Sequence, residues 1–182
     1  MNLMKKAVLF LFAMLLFAVP AQAEVVTQKV QLHDTVTAES FAEAYNAEAK
    51  DKVTFGEPRT AGDYVSRLAP IGEASAMIVN ANGEGLLSNI MLMHKGAVQP
   101  QEKDAVMDIL YNMMAALGFE RSELNDYQTG LVYEQLCFDS REPMATRVFR
   151  PDINRIYTFY KSWKPNADVY MVLVEAVTES EP

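Results

Sequence analysis

Residues 155–163 carry aromatic side chains on both faces of an extended chain, and this pattern constrains the fold more than any other in the sequence. Side chains of a strand alternate. Tyr157, Phe159, Lys161 and Trp163 therefore share one face, and Ile156, Thr158, Tyr160 and Ser162 share the other. A strand with bulky groups on both sides belongs in the interior of a sheet, or under cover on both sides. Lys164-Pro165-Asn166-Ala167 then turns the chain into a second run, residues 168–177. There Val172, Val174 and Ala176 alternate with Met171, Leu173 and Glu175, again a largely buried strand.

The rest of the chain supplies partners for such a sheet. Val26, Val30 and Leu32 make a short strand-like start. Thr37 is suited to cap a helix over residues 38–50, with Val36 and Phe41 placed as a hydrophobic staple. Gly56, Pro58, Gly62, Pro70 and Gly72 punctuate residues 51–74. They predict a loop with a short strand near 53–55 and one helical turn around Tyr64, Val65 and Leu68. Residues 76–79 and 86–93 flank Asn82-Gly83, a hairpin signal because both residues tolerate positive φ. A second helix is expected from Pro100 at its first position to Gly118 just past its end. Val106, Ile109, Leu110, Met113 and Leu117 form its apolar stripe. Residues 131–138 and 146–149 read as further strands. The expected fold class is α+β: an antiparallel sheet packed by two main helices. Helices starting near 38 and near 101, each followed by strands, hint at a duplication without residue-level similarity.

Residues 1–23 read as a secretory signal peptide. Lys5 and Lys6 precede thirteen unbroken apolar residues, and Pro20 and Ala21-Gln22-Ala23 form a cleavage site. At about 1.5 Å per residue the apolar run spans roughly 20 Å, short of a bilayer core of roughly 30 Å. Cleavage leaves residues 24–182 as a single domain with 14 basic and 24 acidic groups. That charge disfavours nucleic acid and unaided adsorption to anionic lipid. No later segment is apolar enough to span a membrane. The expected location is the periplasm, with an extracellular destination as the alternative.

Familiar catalytic signatures are absent: there is no Gly-x-Ser-x-Gly, no His-Glu-x-x-His, no Walker loop and no Cys-x-x-Cys. Cys137, the single cysteine, sits among apolar neighbours and reads as an inert thiol. His33 and His94 flank predicted elements, where polar residues are ordinary, and Asp104 and Asp108 share a helix face as solvated acids. No cofactor or metal is expected, and no catalytic residue is assigned. Methionines gather at Met77, Met91 and Met93 and at Met107, Met113 and Met114. They suit adaptable core packing, or a soft apolar groove between helix and sheet.

Charge is most uneven toward the C-terminus, where Arg141, Arg147, Arg150, Arg155, Lys161 and Lys164 accompany the aromatics. Arginine and aromatic side chains combine planar hydrogen bonding with large apolar area. The expected partner-binding set is therefore Arg150, Arg155, Tyr157, Tyr160 and Trp163. The function expected from these residues is a non-catalytic module that recognises a protein or other macromolecule of the cell envelope, or that self-assembles as a homo-oligomer. A periplasmic carrier of a small apolar or amphipathic ligand is the second reading, and a hydrolase without a recognisable motif the third.

Overall fold

In the computed structural model, residues 26–120 and 143–180 are described. The expected signal peptide, the expected strand at 131–138 and Cys137 lie outside them. In chain order the elements are β1 (Val26–Val30), α1 (Ala38–Glu48), β2 (Arg59–Ala61), β3 (Tyr64–Ile71), β4 (Ser75–Ala81) and β5 (Leu87–Lys95). Then follow α2 (Lys103–Ala116), β6 (Met144–Arg150), a 3-10 turn (Pro151–Ile153), β7 (Arg155–Lys164) and β8 (Val169–Ser180). All eight strands join one antiparallel sheet in the order β2-β3-β4-β5-β8-β7-β6, with β1 also paired to β8.

The helix ends follow their local chemistry. The Thr37 hydroxyl accepts from the Ser40 amide at 3.2 Å, and the Ser40 hydroxyl accepts from the Thr37 amide at 3.0 Å. These bonds satisfy donors that the first turn would otherwise leave bare. At the end of α2, Gly118 takes φ +85°, its amide donates to Ala115 O, and the Phe119 amide donates to Met114 O. This is the paired arrangement that closes a helix over a left-handed glycine. The start of α2 differs from the expected Pro100. The Glu102 carboxylate accepts from the Gln99 amide at 2.8 Å, and the Glu102 amide donates to Gln99 O. Residues 99–102 thus close a separate turn, and the helix begins at Lys103.

Residues 51–74 correct the loop reading most. They contain β2 and the eight-residue β3, and no helical turn forms around Tyr64. Tyr64, Val65 and Leu68 are all exposed, so their spacing reflected no buried helix face. The β4–β5 hairpin forms, but its positive φ falls at Gly85, not at Asn82-Gly83. Asn82 Oδ1 accepts from the Glu84 and Leu86 amides, each at 3.0 Å, and this side-chain turn lengthens the loop.

The last strands of two meanders meet at the centre of the sheet. After α1 come β2 and the run β3-β4-β5, and after α2 comes the run β6-β7-β8; β5 pairs with β8, so both three-strand runs proceed toward the centre, with β2 added outside β3. The expected duplication is therefore visible in topology.

Residues of the sheet that enter the hydrophobic core share one face. Ala69, Met77, Leu92 and Val172 are cross-strand partners, as are Val79, Ile90, Val174 and Phe159. Phe41 and Tyr45 of α1 and Val106, Ile109, Leu110, Met113 and Met114 of α2 belong to the same cluster. The α2 stripe is thus buried at the spacing expected of it. We expect Ile109→Ala, which leaves a cavity at a site only 5% exposed, to lower unfolding free energy by about 2–5 kcal/mol in urea titration.

Candidate functional site

The expected basic and aromatic set does not come together as a surface. Arg155 and Tyr157 occupy the core-side face of β7 and are 4% and 0% exposed. Arg155 Nε donates to Gln31 O at 2.9 Å, Nη1 to Ile153 O at 3.2 Å, and Nη2 to Asp34 Oδ1 at 2.6 Å. The Tyr157 hydroxyl donates to Leu32 O. Together they fasten β7 to the segment that follows β1. Burial pushes the Tyr157 hydroxyl up to about 12.

Arg150 is also engaged. Its Nη1 donates to Gly118 O at 2.9 Å, and its Nε and Nη2 grip the Asp152 carboxylate. The guanidinium lies 4.7 Å from the Phe119 ring centre. A cation at the C-terminal end of α2 complements both the bare carbonyl and the helix dipole. Trp163 stands 6.3 Å from Tyr170 between ring centres, on the same sheet face as Tyr157. Of the five expected residues, Tyr160 alone points to the opposite face, where it is 42% exposed. Arg155 and Tyr157 therefore serve as internal fasteners. The physical reason is strand parity: odd positions of β7 face the core.

That opposite face has an order of its own. Leu68, Ile78, Met91, Leu173, Tyr160 and Ala145 are successive cross-strand partners from β3 to β6, a single row across six strands. Pro70, Ala76, Met93, Met171 and Ser162 make the row beside it. On its other side runs a polar row: Ser66, Asn80, Asn89, Glu175, Thr158 and Arg147. The Ser66 hydroxyl donates to Asn80 Oδ1, and Asn80 Nδ2 donates to Asn89 Oδ1 at 2.6 Å. Lys29 Nζ bonds both Glu175 oxygens at 2.9 and 3.0 Å, which raises the lysine above its ordinary value. Beyond lie Val177, Ile156 and Phe149, the last 58% exposed.

The methionines divide along the same line. Met77, Met113 and Met114 are buried in the core. Met91 and Met93 alternate onto the opposite face, so they do not line a groove beneath α2.

Two further arrangements have chemistry. Ser75 Oγ and His94 Nδ1 lie 2.9 Å apart, and His94 Nε2 lies 3.8 Å from Glu102 Oε2. A serine, an imidazole and a carboxylate are thus in line, but the carboxylate stands beyond hydrogen-bonding distance. Separately, a recess of about 230 Å³ opens between α1 and β3, bounded by Ala42, Val53, Phe55 and the Arg67–Glu39 ion pair at 2.9 Å. Among the described residues, no cluster of three His, Cys, Asp or Glu could hold a metal ion, and no helix is long and apolar enough to cross a membrane.

Comparison with protein-family models, curated proteins and solved structures finds no match to this chain.

Sequence reasoning missed the open-face row. Its signal lay in the alternation of Ile78, Met91 and Leu173 against buried neighbours, but only the strand register aligns those residues. The fastener makes its own prediction. Hydrogen bonding to Arg155 holds the Asp34 carboxyl below its ordinary value of 3.8. A depressed carboxylate contributes stability above its unfolded pKa and loses it as pH falls through the folded one. Arg155→Ala should cost about 1–3 kcal/mol at neutral pH, because two backbone carbonyls lose their donor. Denaturant titrations should show wild type losing stability more steeply than the variant below pH 4 or so.

Proposed function

We propose that this chain is an exported, non-catalytic interaction module. In this reading residues 1–23 are removed and residues 24–182 act as one α+β domain, in the periplasm or outside the cell. The two helices cover one face of the sheet, and the other face is the recognition surface. The module binds a macromolecule of the cell envelope or assembles with its own kind.

The observation that carries this reading is the cross-strand row Leu68, Ile78, Met91, Leu173 and Tyr160. Contiguous apolar surface of this extent costs free energy in water and marks a contact surface. Leu68 and Tyr160 are 48% and 42% exposed on it, and Tyr64 and Phe149, beyond the polar row on the same face, are also exposed. Tyrosine suits such a surface, since it buries large area while its hydroxyl stays hydrated or paired. In this reading Tyr160, one of the expected partner-binding residues, is an anchor. Arg147, exposed in the polar row, is the orienting cation in this reading, because Arg150 and Arg155 are engaged within the chain.

The carrier reading has the recess beside Arg67 in its favour. At about 230 Å³ it falls below the roughly 300–1,000 Å³ of sites that enclose small ligands. Among the described residues the open-face row is the stronger support, and the interaction reading is preferred.

A photo-activated cross-linker in place of Tyr160, used in the producing cells, should join the chain to one discrete partner mass. The same group in place of Glu43, exposed on α1, should give no such product. Absence of a product at position 160 would overturn the reading.

A further inference from the structure

We infer that the occupant of the open sheet face is a second copy of this chain, packed face to face about a dyad that runs parallel to the strands between β5 and β8. This inference rests on the interaction reading above and names the partner.

The sheet order makes such a dyad self-consistent. Rotation about it carries β5 onto the partner's β8, β4 onto β7 and β3 onto β6, so each of these strands meets a counterpart. Rows are preserved. Met91 meets the second copy's Leu173, Ile78 meets its Tyr160, and Phe149 meets its Tyr64. Apolar rows therefore lie on apolar rows, as in aligned packing of two sheets.

Charge agrees. Residues 24–182 carry 14 basic and 24 acidic groups, so two copies repel over most approaches. Within the four rows Glu175 is the one carboxylate, and Lys29 already neutralises it. The dyad sets Glu175 against Asn89 of the second copy and Arg147 against Ser66, so no like charges face each other. Lys95 and Lys164 lie at the end of the face, opposite Val169 in register, where solvent screens them.

The area is adequate. Six strands at about 4.8 Å and four rows at about 6.8 Å give a footprint on the order of 800 Å². That equals the share of one partner in a standard stable interface.

The test is sedimentation equilibrium on the protein purified from its own cells, at micromolar concentration. Wild type should sediment at twice the chain mass. Ile78→Lys and Tyr160→Glu should each weaken association at least 100-fold, because each buries a charge against an apolar residue of the other copy. The double variant should recover association to within about 10-fold of wild type, since the two new charges then face each other across the dyad. Within one chain β4 and β7 are separated by β5 and β8, so the rescue cannot be internal. If Ile78→Lys lowers the thermal midpoint, Phe149→Lys with Tyr64→Glu replaces the pair, since those positions face each other across the dyad. Monomeric wild type, single variants that still dimerise, or a double variant no tighter than the singles would each overturn the inference. Monomeric wild type that still cross-links a different protein through position 160 removes the second copy and keeps the interaction reading. Monomeric wild type with no cross-link removes both.

Discussion

β8 pairs with three strands, and the remainder of the architecture depends on that. Along one edge it runs beside β7. Along the other it meets β5 over residues 169–175 and β1 over residues 176–180. Twelve residues in length, it is the rail on which both meanders register. Its alternation fixes which side of the molecule is core, because Val172, Val174 and Ala176 are buried while Met171, Leu173 and Glu175 are not. A slip of one residue would exchange the two faces across every strand paired to it. The apolar core and the proposed contact face are thus two consequences of a single register.

Side-chain hydrogen bonds from β6 and β7 fasten this sheet to the rest of the chain. Arg155 and Tyr157 hold the chain after β1 through the carbonyls of Gln31 and Leu32. Arg150 holds the end of α2 through Gly118 O. These bonds join segments more than a hundred residues apart, or helix to strand, where backbone ladders cannot reach. The same residue types serve as anchors at protein interfaces, and only their placement separates the two uses. Here the fasteners face inward and Tyr160 faces outward.

Local chemistry was legible from the sequence alone. Thr37 capping α1, Gly118 closing α2, the buried stripe of α2 and the last two strands all follow from short-range patterns. What escaped was long-range. β3 hid among Gly and Pro because an edge-proximal strand with an exposed first half lacks a clean apolar alternation. Parity within β7 already separates Tyr160 from Tyr157 and Trp163, so grouping all three as one surface ignored a rule the strand itself supplies. The row from Leu68 to Tyr160 could not be seen at all without register, since its members are scattered over residues 68–173 of the sequence.

Methionine oxidation tests the central claim, two faces of one sheet with opposite fates, most directly. Brief exposure of dilute, native protein to hydroxyl radicals, followed by peptide mass spectrometry, reads each thioether separately. Under dissociating dilution, Met91, Met93 and Met171 should oxidise readily while Met77, Met113 and Met114, each at most 1% exposed, stay intact. Oxidation of Met77 or Met113 at rates comparable to Met91 would contradict the account, as would protection of Met91 and Met171 in the dilute monomer.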